Sequence, residues 1–407
     1  MSYDDFARRV REGGILTDPW IDGEPRFRET PLALSPDTLR SLYGTAEDVC
    51  AVYNELTLLV ADEPALLDDF FALGPTQKTM WHASQPAWHG VARADVFLTD
   101  EGPCIAELNC DTPTGEAEAV VLGALAGEGN PNAQLGERFV AMLEAMARAE
   151  LASCPPQLTV GLVYPTELTE DLSLVRLYRR WLEDRGHAVV LGSPYNLRAA
   201  DGRLSLFGTT IDVVLRHYKT DWWCEREAVW TDDRVVDAAP LTEPLAALFE
   251  ALFAGTVCVV NPLGSVLPQN KRSMALMWEH LHRFSPRAQS IIEAHVPYTA
   301  RLETLHHEQL LAQKDAWVLK SDYGAEGDEV VVGRWVTDAV WKHALACAKP
   351  RQFVGQRFFE AHADEQGEIL NYGVYLVGGE ASGLYARAQK GVTDTRAKSV
   401  GVVVREG

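Results

Sequence analysis

The chain has 407 residues, 47% of them hydrophobic and 23% charged, which is enough apolar material for a folded core divided into two or three subdomains. Its formal net charge of −21 argues against sequence-independent binding to nucleic acid or to anionic membranes. An acidic surface suits a cationic substrate, although many soluble enzymes are acidic for no such reason.

The first residues are polar, so we expect no secretory signal, and no apolar run approaches the ~20 residues that span a bilayer. Seven cysteines are scattered along the chain without a Cys-x-x-Cys pair, which favours free thiols over a disulfide framework or a zinc site. We therefore expect a cytoplasmic protein with neither a membrane nor a nucleic-acid partner.

The predicted elements divide the chain into three regions. Region 1–155 contains helices over 37–73 and 133–152 and a hairpin at 93–109. In region 156–262, strands alternate with helices, which predicts a Rossmann-like α/β subdomain with a largely parallel sheet. Region 263–407 begins with two helices and continues with short strands and Gly-containing turns, which is typical of an antiparallel α+β unit. The expected fold class is therefore mixed, α/β and α+β. The elements predicted in the last two regions are strands 158–164, 187–191, 204–207, 211–215, 256–260, 317–320, 330–332, 353–359, 370–377 and 399–403, and helices 171–184, 241–253, 271–282 and 286–294.

The hairpin carries the most informative polar residues. Two alternating apolar runs flank a three-residue turn at 100–102, whose glycine can adopt a left-handed conformation. A pairing centred on this turn places Asp95 opposite Glu107 and Arg93 opposite Asn109, and all four share one face of the hairpin.

Two carboxylates directly opposite each other destabilise a ladder, so another group must offset their repulsion. A divalent cation would do so, and oxygen ligands from Asp95, Glu107 and Asn109 are those that Mg²⁺ prefers. The alternative is a solvated face on which Arg93 pairs with one acid. Thr114, shortly after the hairpin, is a candidate helix N-cap at which a dipole could hold an anionic substrate group.

Lysines and glycines further along are candidates for binding phosphate. The strand 317–320 ends in Lys320 and leads into a loop with Gly324 and Gly327, whose backbone N–H groups could cover phosphates. An ordinary hairpin turn is the simpler explanation of two glycines, and no Walker-type Gly-Lys-Ser/Thr string is present. Lys271 and Arg387, taken alone, could be surface charges.

Taken together, these residues resemble the ATP-grasp superfamily, specifically the synthetase domain of the glutathionylspermidine synthase family, from about residue 88 to the end. The resemblance rests on Arg93-x-Asp95 followed by Glu107-Leu-Asn109-x-Asp111-Thr-Pro-Thr, then Asn270-Lys271, Lys320, Gln356 and Gly383-Leu-x-x-Arg387. Lys219-Thr-Asp-Trp-Trp also resembles a segment near that family's substrate region. The chain differs in having Lys320-Ser321 where the family has Lys-Pro, and we expect no fused amidase domain of the kind that some members carry.

The resemblance implies an ATP-grasp fold and an ATP- and Mg²⁺-dependent ligase that forms an amide bond through an acyl phosphate. In such a site Asp95, Glu107 and Asn109 would bind Mg²⁺, and Lys271 and Lys320 would neutralise phosphates. A glycine flap with Gly324 and Gly327 would cover the nucleotide, Gln356 would lead into the adenine hinge, and Arg93 and Arg387 would steady the reacting groups. The implied substrates are a small carboxylate, such as a peptide, and an amine, such as a polyamine, with Asp221, Glu225 and Glu227 as candidates for the amine pocket. The alternatives are a peptide or natural-product ligase with another acid and amine, and a non-catalytic nucleotide-binding protein.

Overall fold

The structure is a computed structural model that describes residues 2–223, 241–324, 330–349, 351–391 and 396–406. These residues form thirteen α-helices and nineteen strands. The helices are α1 (Tyr3–Glu12), α2 (Pro36–Asp62), α3 (Leu66–Asp69), α4 (Pro75–Ser84), α5 (Glu116–Ala126), α6 (Leu135–Glu150), α7 (Leu172–Asp184), α8 (Thr220–Trp223), α9 (Thr242–Phe253), α10 (Arg272–Glu279), α11 (Pro286–His295), α12 (His307–Ala312) and α13 (Asp338–Cys347). The strands are β1 (Trp20–Ile21), β2 (Glu24–Pro25), β3 (Phe27–Leu34), β4 (Val91–Thr99), β5 (Gly102–Asn109), β6 (Thr159–Val163), β7 (Ala188–Gly192), β8 (Leu197–Ala200), β9 (Arg203–Leu206), β10 (Thr209–Thr210), β11 (Val213–Arg216), β12 (Cys258–Val260), β13 (Thr299–Arg301), β14 (Trp317–Ser321), β15 (Val330–Val332), β16 (Phe353–Arg357), β17 (Ile369–Val377), β18 (Glu380–Gln389) and β19 (Lys398–Val404).

The largest sheet has six strands in the order β3-β19-β18-β17-β4-β5. Its neighbours are antiparallel, except that β3 and β19 run parallel. It therefore combines three strands from the first 110 residues with three strands from the last 40 residues. Because side chains alternate along each strand, one face buries apolar residues against α2 and the other carries the polar site residues.

A four-stranded parallel sheet has the order β12-β11-β6-β7. Its strands are short and almost entirely apolar, as expected for a parallel sheet covered on both faces. The sheet confirms the predicted Rossmann-like α/β pattern. The strand order changes direction between β6 and β11, so the crevice at their carboxyl ends is the position at which such sheets commonly bind ligands.

The third sheet is antiparallel, with the order β13-β16-β14-β15. Trp317 and Leu319 project from β14 into a core with Trp341 and Leu345 of α13. Alternation sends Val318 and Lys320 to the opposite face, towards α10 and the hairpin β4–β5. This sheet confirms the predicted antiparallel unit.

One predicted helix differs from the structure, and one long strand was missed. The helix expected over 37–73 ends at Asp62, because Pro64 cannot continue it, and the short α3 follows. Strand β18 was not predicted. Its Ala-Ser-Gly residues have low strand propensity, and its pairing with neighbours on both sides overrides that preference. The boundaries between the three predicted regions stay a prediction, since the six-stranded sheet takes strands from the first and the last of them. Within the described ranges, no helix is long and apolar enough to cross a membrane.

Candidate active site

Strands β4 and β5 form the hairpin that carries four of the predicted site residues. Arg93 pairs with Asn109, and Asp95 pairs with Glu107. The predicted register is therefore confirmed at these positions, and the two carboxylates lie opposite each other on one face of the sheet.

The turn of this hairpin was predicted with three residues and has two. Thr99 pairs with Gly102, and this shorter connection alone would move every pair by one position. A β-bulge between Asp95 and the next residue corrects the shift, because Val96 pairs with Ile105 and leaves Ala106 as the extra residue. The bulge thus restores the pairing that the longer turn would have given.

The carboxylate of Asp95 is buried and held by three side chains. Arg93 donates from Nε to Oδ1 at 2.7 Å and from Nη2 to Oδ2 at 3.1 Å. Arg387 donates from Nη2 to Oδ2 at 3.0 Å, and Asn371 donates from Nδ2 to the same oxygen at 3.3 Å. The two arginines offset the repulsion between the carboxylates. The alternative to a metal site was a solvated face on which Arg93 pairs with one acid. Arg93 does pair with Asp95, but this face of the hairpin is buried there.

The position of Arg93 depends on close packing around it. Its Nη1 donates to the carbonyl oxygen of Thr114 at 2.8 Å, and its Cζ lies 5.9 Å from the ring centre of Tyr385. A Cβ atom on Gly373 would lie 2.7 Å from Arg93 Cδ, so only glycine leaves room for this side chain. Burial lowers the pKa of Arg93, but the adjacent Asp95 raises this pKa by more than burial lowers it. The guanidinium therefore stays charged.

Glu107 lies at the other end of the carboxylate pair, and its side chain is 27% exposed. Its Oε1 accepts a hydrogen bond from Asn109 Nδ2 at 3.2 Å, and its Oε2 lies 3.5 Å from Lys271 Nζ. Burial raises the pKa of Glu107, but Lys271, Lys320 and Arg93 together lower it to about 2. Glu107 is therefore an ionised oxygen donor at neutral pH.

The two predicted phosphate lysines meet at this carboxylate from different elements. Lys271 immediately precedes α10, and its Nζ also donates to the carbonyl oxygen of Gly324 at 2.6 Å. Lys320 lies in β14, and its Nζ donates at 3.1 Å to the carbonyl oxygen of the bulge residue Ala106. Burial lowers the pKa of Lys320 to about 8; the charge of Glu107 opposes this shift and that of Lys271 adds to it.

Gln356 is buried between the antiparallel sheet and α10. It pairs with Val318, two residues before Lys320, so Gln356 and Lys320 share one face. Its Nε2 donates to Thr299 Oγ1 at 3.1 Å and lies 3.6 Å from the sulfur of Met274. The predicted adenine-side residue Gln356 and the predicted phosphate lysine Lys320 thus lie on the face of the antiparallel sheet that is turned towards α10, which Lys271 precedes, while Gly327 lies outside the described residues.

The segment after the hairpin differs from its prediction. Thr114 does not cap helix α5; Gly115 occupies the N-cap with φ of +94°. A Cβ atom on Gly115 would lie 2.7 Å from the Tyr385 ring and 2.9 Å from the Tyr375 hydroxyl, so glycine is required there. The carbonyl oxygen of Thr114 accepts hydrogen bonds from Arg93 and Tyr375 instead.

Asp111 belongs to the motif on which the resemblance rests, but the sequence assigned it no role. It is buried and forms an ion pair of 2.6 Å with the buried Arg216 at the end of β11. Its carboxylate also accepts hydrogen bonds from the hydroxyl of Ser265 at 2.9 Å and from the backbone N–H of Thr220 at 2.8 Å. Asp111 therefore fastens the hairpin to the carboxyl edge of the parallel sheet.

Near the same edge lies Glu116, the first residue of α5, which is only 1% exposed. Tyr178 donates to its Oε1 at 3.0 Å, and within the described ranges its Oε2 has no hydrogen-bond partner. Burial raises the pKa of Glu116 to about 7. Asp221, a candidate for the amine pocket, is buried in α8, while Glu225 and Glu227 lie outside the described residues.

A second missed residue, Asn371, bears on whether a divalent cation fits the site. Within the described ranges no three Asp, Glu, His or Cys side chains cluster as metal ligands, so a cation here would need amide oxygens too. Asn109 is one such donor, and Asn371, beside Asp95, has a buried Oδ1 with no hydrogen-bond partner. An all-oxygen set of carboxylates and amides suits a hard cation such as Mg²⁺. The signal in the sequence is an asparagine within an otherwise apolar strand.

Comparisons with known proteins bear on both family and fold. The model of a family described as glutathionylspermidine synthase preATP-grasp matches residues 5–405. No curated protein matches the chain in sequence. Among solved structures, the apo form of a glutathione synthetase-like effector from Globodera pallida is similar with a TM-score of 0.60 and 11% identity, over 98% of this chain and 96% of that one. A protein described as a putative gamma-glutamylcysteine synthetase from Methylobacillus flagellatus KT is similar with a TM-score of 0.51 and 12% identity, over 91% and 89%. At these identities the likeness is one of fold, and with the family match it confirms the expected mixed α/β, ATP-grasp-type architecture.

Proposed function

The chain belongs to the glutathionylspermidine synthase preATP-grasp family, and on this premise we propose that it is an ATP- and Mg²⁺-dependent ligase that joins a carboxylate to an amine. One observation carries the proposal. Arg93 and Arg387 converge on Asp95, while Lys271 approaches the opposite carboxylate, Glu107. Such a concentration of buried cations around two acids suits a reaction between anionic groups.

We assign nucleotide binding to the face of the antiparallel sheet that is turned towards α10. Lys271 and Lys320 would neutralise phosphate charge there, and Gln356 would lie near the base. Gly324, whose carbonyl accepts from Lys271, begins the loop that would cover the phosphates together with Gly327. Asp95, Glu107 and Asn109 would hold Mg²⁺, which would withdraw charge from the phosphate oxygens and make the terminal phosphorus easier to attack.

We assign the substrate carboxylate to the two arginines. Arg93 and Arg387 would orient it so that one of its oxygens attacks the terminal phosphorus of ATP, releasing ADP and forming an acyl phosphate. Both guanidiniums would stabilise the negative charge that spreads over the transferring group. The amine nitrogen then attacks the acyl carbon, phosphate leaves, and the nitrogen loses a proton to give the amide. This sequence needs no nucleophile from the protein.

The amine has to lose its proton before or during the attack, so a nearby carboxylate would assist. Asp221 in α8 is our candidate within the described chain, with Glu225 and Glu227 following it. The net charge of −21 favours an amine that is cationic in solution, such as a polyamine, and the family favours a small peptide as the acid. We expect a cytoplasmic enzyme.

The direct test is release of ADP by the purified protein with Mg-ATP and a panel of peptides, amino acids and polyamines. We expect ADP release that requires both an acid and an amine, and a product whose mass is the sum of the two minus one water. Lys320→Met should abolish turnover, whereas Lys342→Met, on the exposed surface of α13, should not change it.

Other outcomes distinguish the alternatives. Turnover with a different acid and amine would assign the chain to peptide or natural-product assembly. Calorimetric binding of Mg-ATP without turnover for any pair would support a non-catalytic nucleotide-binding protein. Absence of nucleotide binding would overturn the proposal altogether.

A further inference from the structure

We propose that Asp111 is a positioning residue: through Thr220 it holds helix α8, and with it Asp221, at a fixed distance from the Mg²⁺ candidates on the hairpin. The inference rests on the proposed function, because it concerns the placement of the amine pocket relative to the metal. It gives a role in the reaction to a buried carboxylate that the proposed metal and phosphate sites do not use.

Asp111 lies two residues beyond Asn109, the last of the metal candidates, in a segment whose backbone N–H and carbonyl groups are both held. The side-chain oxygen Oε1 of Gln269 accepts hydrogen bonds from the backbone N–H groups of Cys110 and Asp111, at 2.8 and 3.0 Å. Asn261 Nδ2 donates to the carbonyl oxygens of the same two residues, at 2.9 and 3.3 Å. Because this segment is fixed, a group that the Asp111 side chain holds lies at a defined distance from the metal candidates.

The two oxygens of the Asp111 carboxylate bind different parts of the protein. Oδ1 forms the ion pair of 2.6 Å with Arg216, the last residue of β11, and accepts from the hydroxyl of Ser265, beyond β12, at 2.9 Å. Oδ2 accepts from the backbone N–H of Thr220 at 2.8 Å and from its hydroxyl at 3.2 Å. One oxygen is therefore fastened to the parallel sheet, and the other holds the first residue of α8.

Helix α8 needs such an external contact. It has only the four residues Thr220–Trp223, and so short a helix does not form in isolation. Its last residue, Trp223, is buried in the core, and the indole donates to the carbonyl oxygen of Tyr218 at 3.2 Å. Its first residue is bonded to Asp111, so the helix is held at both ends. Asp221 follows that first residue directly, and the place of its carboxylate therefore depends on the contact with Asp111.

A purely electrostatic role for Asp111 is the alternative. The side chain of Arg216 is completely buried, so its guanidinium needs a counter-charge, and Oδ1 supplies one. That role does not involve the two hydrogen bonds at Oδ2. Two donors from one residue fix its orientation as well as its distance, which is what the placement of a reacting group requires. The arrangement at Oδ2 therefore favours positioning of α8 in addition to neutralisation of Arg216.

Replacement of Asp111 itself would leave Arg216 as an unpaired buried charge and strongly destabilise the fold, so the test changes the partners of the carboxylate instead. Thr220→Val and Ser265→Ala each remove one hydroxyl donor, the first from Oδ2 and the second from Oδ1. Both residues are completely buried, so the two variants form a matched pair. Thr220→Ser keeps the hydroxyl and is the conservative variant.

The measurement is ADP release by the full chain with Mg-ATP, using the acid and the amine of the panel that the wild type turns over fastest. Thr220→Val should raise the KM for the amine about three- to tenfold, as expected for the loss of one hydrogen bond, and leave the KM for ATP unchanged. Thr220→Ser should have a KM for the amine close to that of the wild type. Ser265→Ala should lower the melting temperature and leave every KM unchanged.

Three results would overturn the inference and leave the ligase proposal standing. An equal rise in the KM for the amine in Thr220→Val and Ser265→Ala would mean that Asp111 acts on the fold as a whole. An unchanged KM for the amine in Thr220→Val would mean that its contact with Asp111 is only structural. A rise in the KM for the acid alone would place the acid, and not the amine, beside α8. A wild-type protein without acid- and amine-dependent ADP release would overturn both the inference and the ligase proposal.

Discussion

The Nη2 atom of Arg387 lies 3.0 Å from Oδ2 of Asp95, although 292 positions separate the two residues in the chain. Arg93 holds the same carboxylate from its own strand. Two guanidiniums thus surround one carboxylate, and together they carry more positive charge than Asp95 neutralises. The excess positive charge is available to an anionic group placed beside them.

Replacement of Arg387 should therefore affect the reaction more than the fold. We expect Arg387→Met to lower kcat/KM for ligation by about 10²- to 10³-fold, because one donor to the developing charge is lost. The affinity for ADP should change little, since Arg387 contacts Asp95 and not the predicted phosphate lysines. Steady-state kinetics and calorimetry measure the two effects. Arg405→Met, on the exposed surface after β19, is the control, and an equal loss of activity there would contradict the assignment.

A methyl group at Gly373 should displace Arg93. The new Cβ would lie 2.7 Å from Arg93 Cδ and 3.1 Å from its Cγ, so the guanidinium would have to move relative to Asp95. We expect Gly373→Ala to lower kcat by about 10²-fold, as misplacement of a catalytic group commonly does.

The control for this variant is Gly44→Ala within α2, where an added Cβ meets nothing within 4 Å. That change should raise the free energy of unfolding by about 0.5–1 kcal/mol and leave kcat unaltered. Full activity in Gly373→Ala would mean that the position of Arg93 does not matter for catalysis.

The affinity for nucleotide should depend on pH through Lys320. The pKa of Lys320 is lowered to about 8, mainly by burial, so the free protein loses this positive charge as the pH rises through that value. The affinity for ADP should be constant below pH 8 and should then fall by up to about tenfold per pH unit, as expected for the loss of one proton. Lys320→Arg keeps its charge and should remove this decline. Calorimetric titration with ADP between pH 7 and 9.5 tests this prediction. If the affinity declined in parallel in the wild type and in Lys320→Arg, another group would be responsible.

Stability should depend on pH through Glu116. Its pKa is raised from 4.5 to about 7 in the folded state, so between these values the folded protein holds a proton that the unfolded chain has lost. The free energy of unfolding should therefore fall as the pH rises from about 4.5 to about 7, and remain lower above that. The loss is on the order of 3 kcal/mol, from about 1.4 kcal/mol per pKa unit.

Glu116→Gln should remove this loss of stability. Its free energy of unfolding in urea should therefore exceed that of the wild type at pH 8 and be similar to it at pH 4.5. Glu118→Gln is the matched control two residues away. Glu118 forms an ion pair of 2.6 Å with Arg26, so its replacement should lower stability at pH 8. If Glu116→Gln were less stable than the wild type at pH 8, the charged form of Glu116 would stabilise the fold, which would contradict this prediction.

The sequence predicted what depends on local rules. Alternation predicted the shared face of Asp95 and Glu107, and helical spacing found α6, α7 and the start of α2 within a few residues. The resemblance to a family added the order of the lysines and arginines. None of these rules could predict that Ala106 would form a bulge, because a bulge is selected by contacts across the sheet and beyond it.

Long-range contacts explain the remaining misses. Asn371 stands out in the sequence only as a polar residue in an apolar strand, and its neighbours Arg387 and Asp95 come from two other strands. Asp111 is a turn residue until Arg216, from another sheet, meets it. Periodicity reports which side of an element is buried, but it does not report which distant element covers that side.

The pairing of β3 with β19 joins the first long strand of the chain to the last. During synthesis on a ribosome, the sheet that carries Asp95 therefore has to wait for almost the entire chain before Arg387 and the strands on either side of it can be added. Contacts between such distant segments slow folding and leave strand edges uncovered in the meantime. A ligand that binds tightly to this site therefore binds only after these distant strands have paired. Because such binding stabilises the folded state, the yield of folded protein in the cell should rise with the concentration of the ligand.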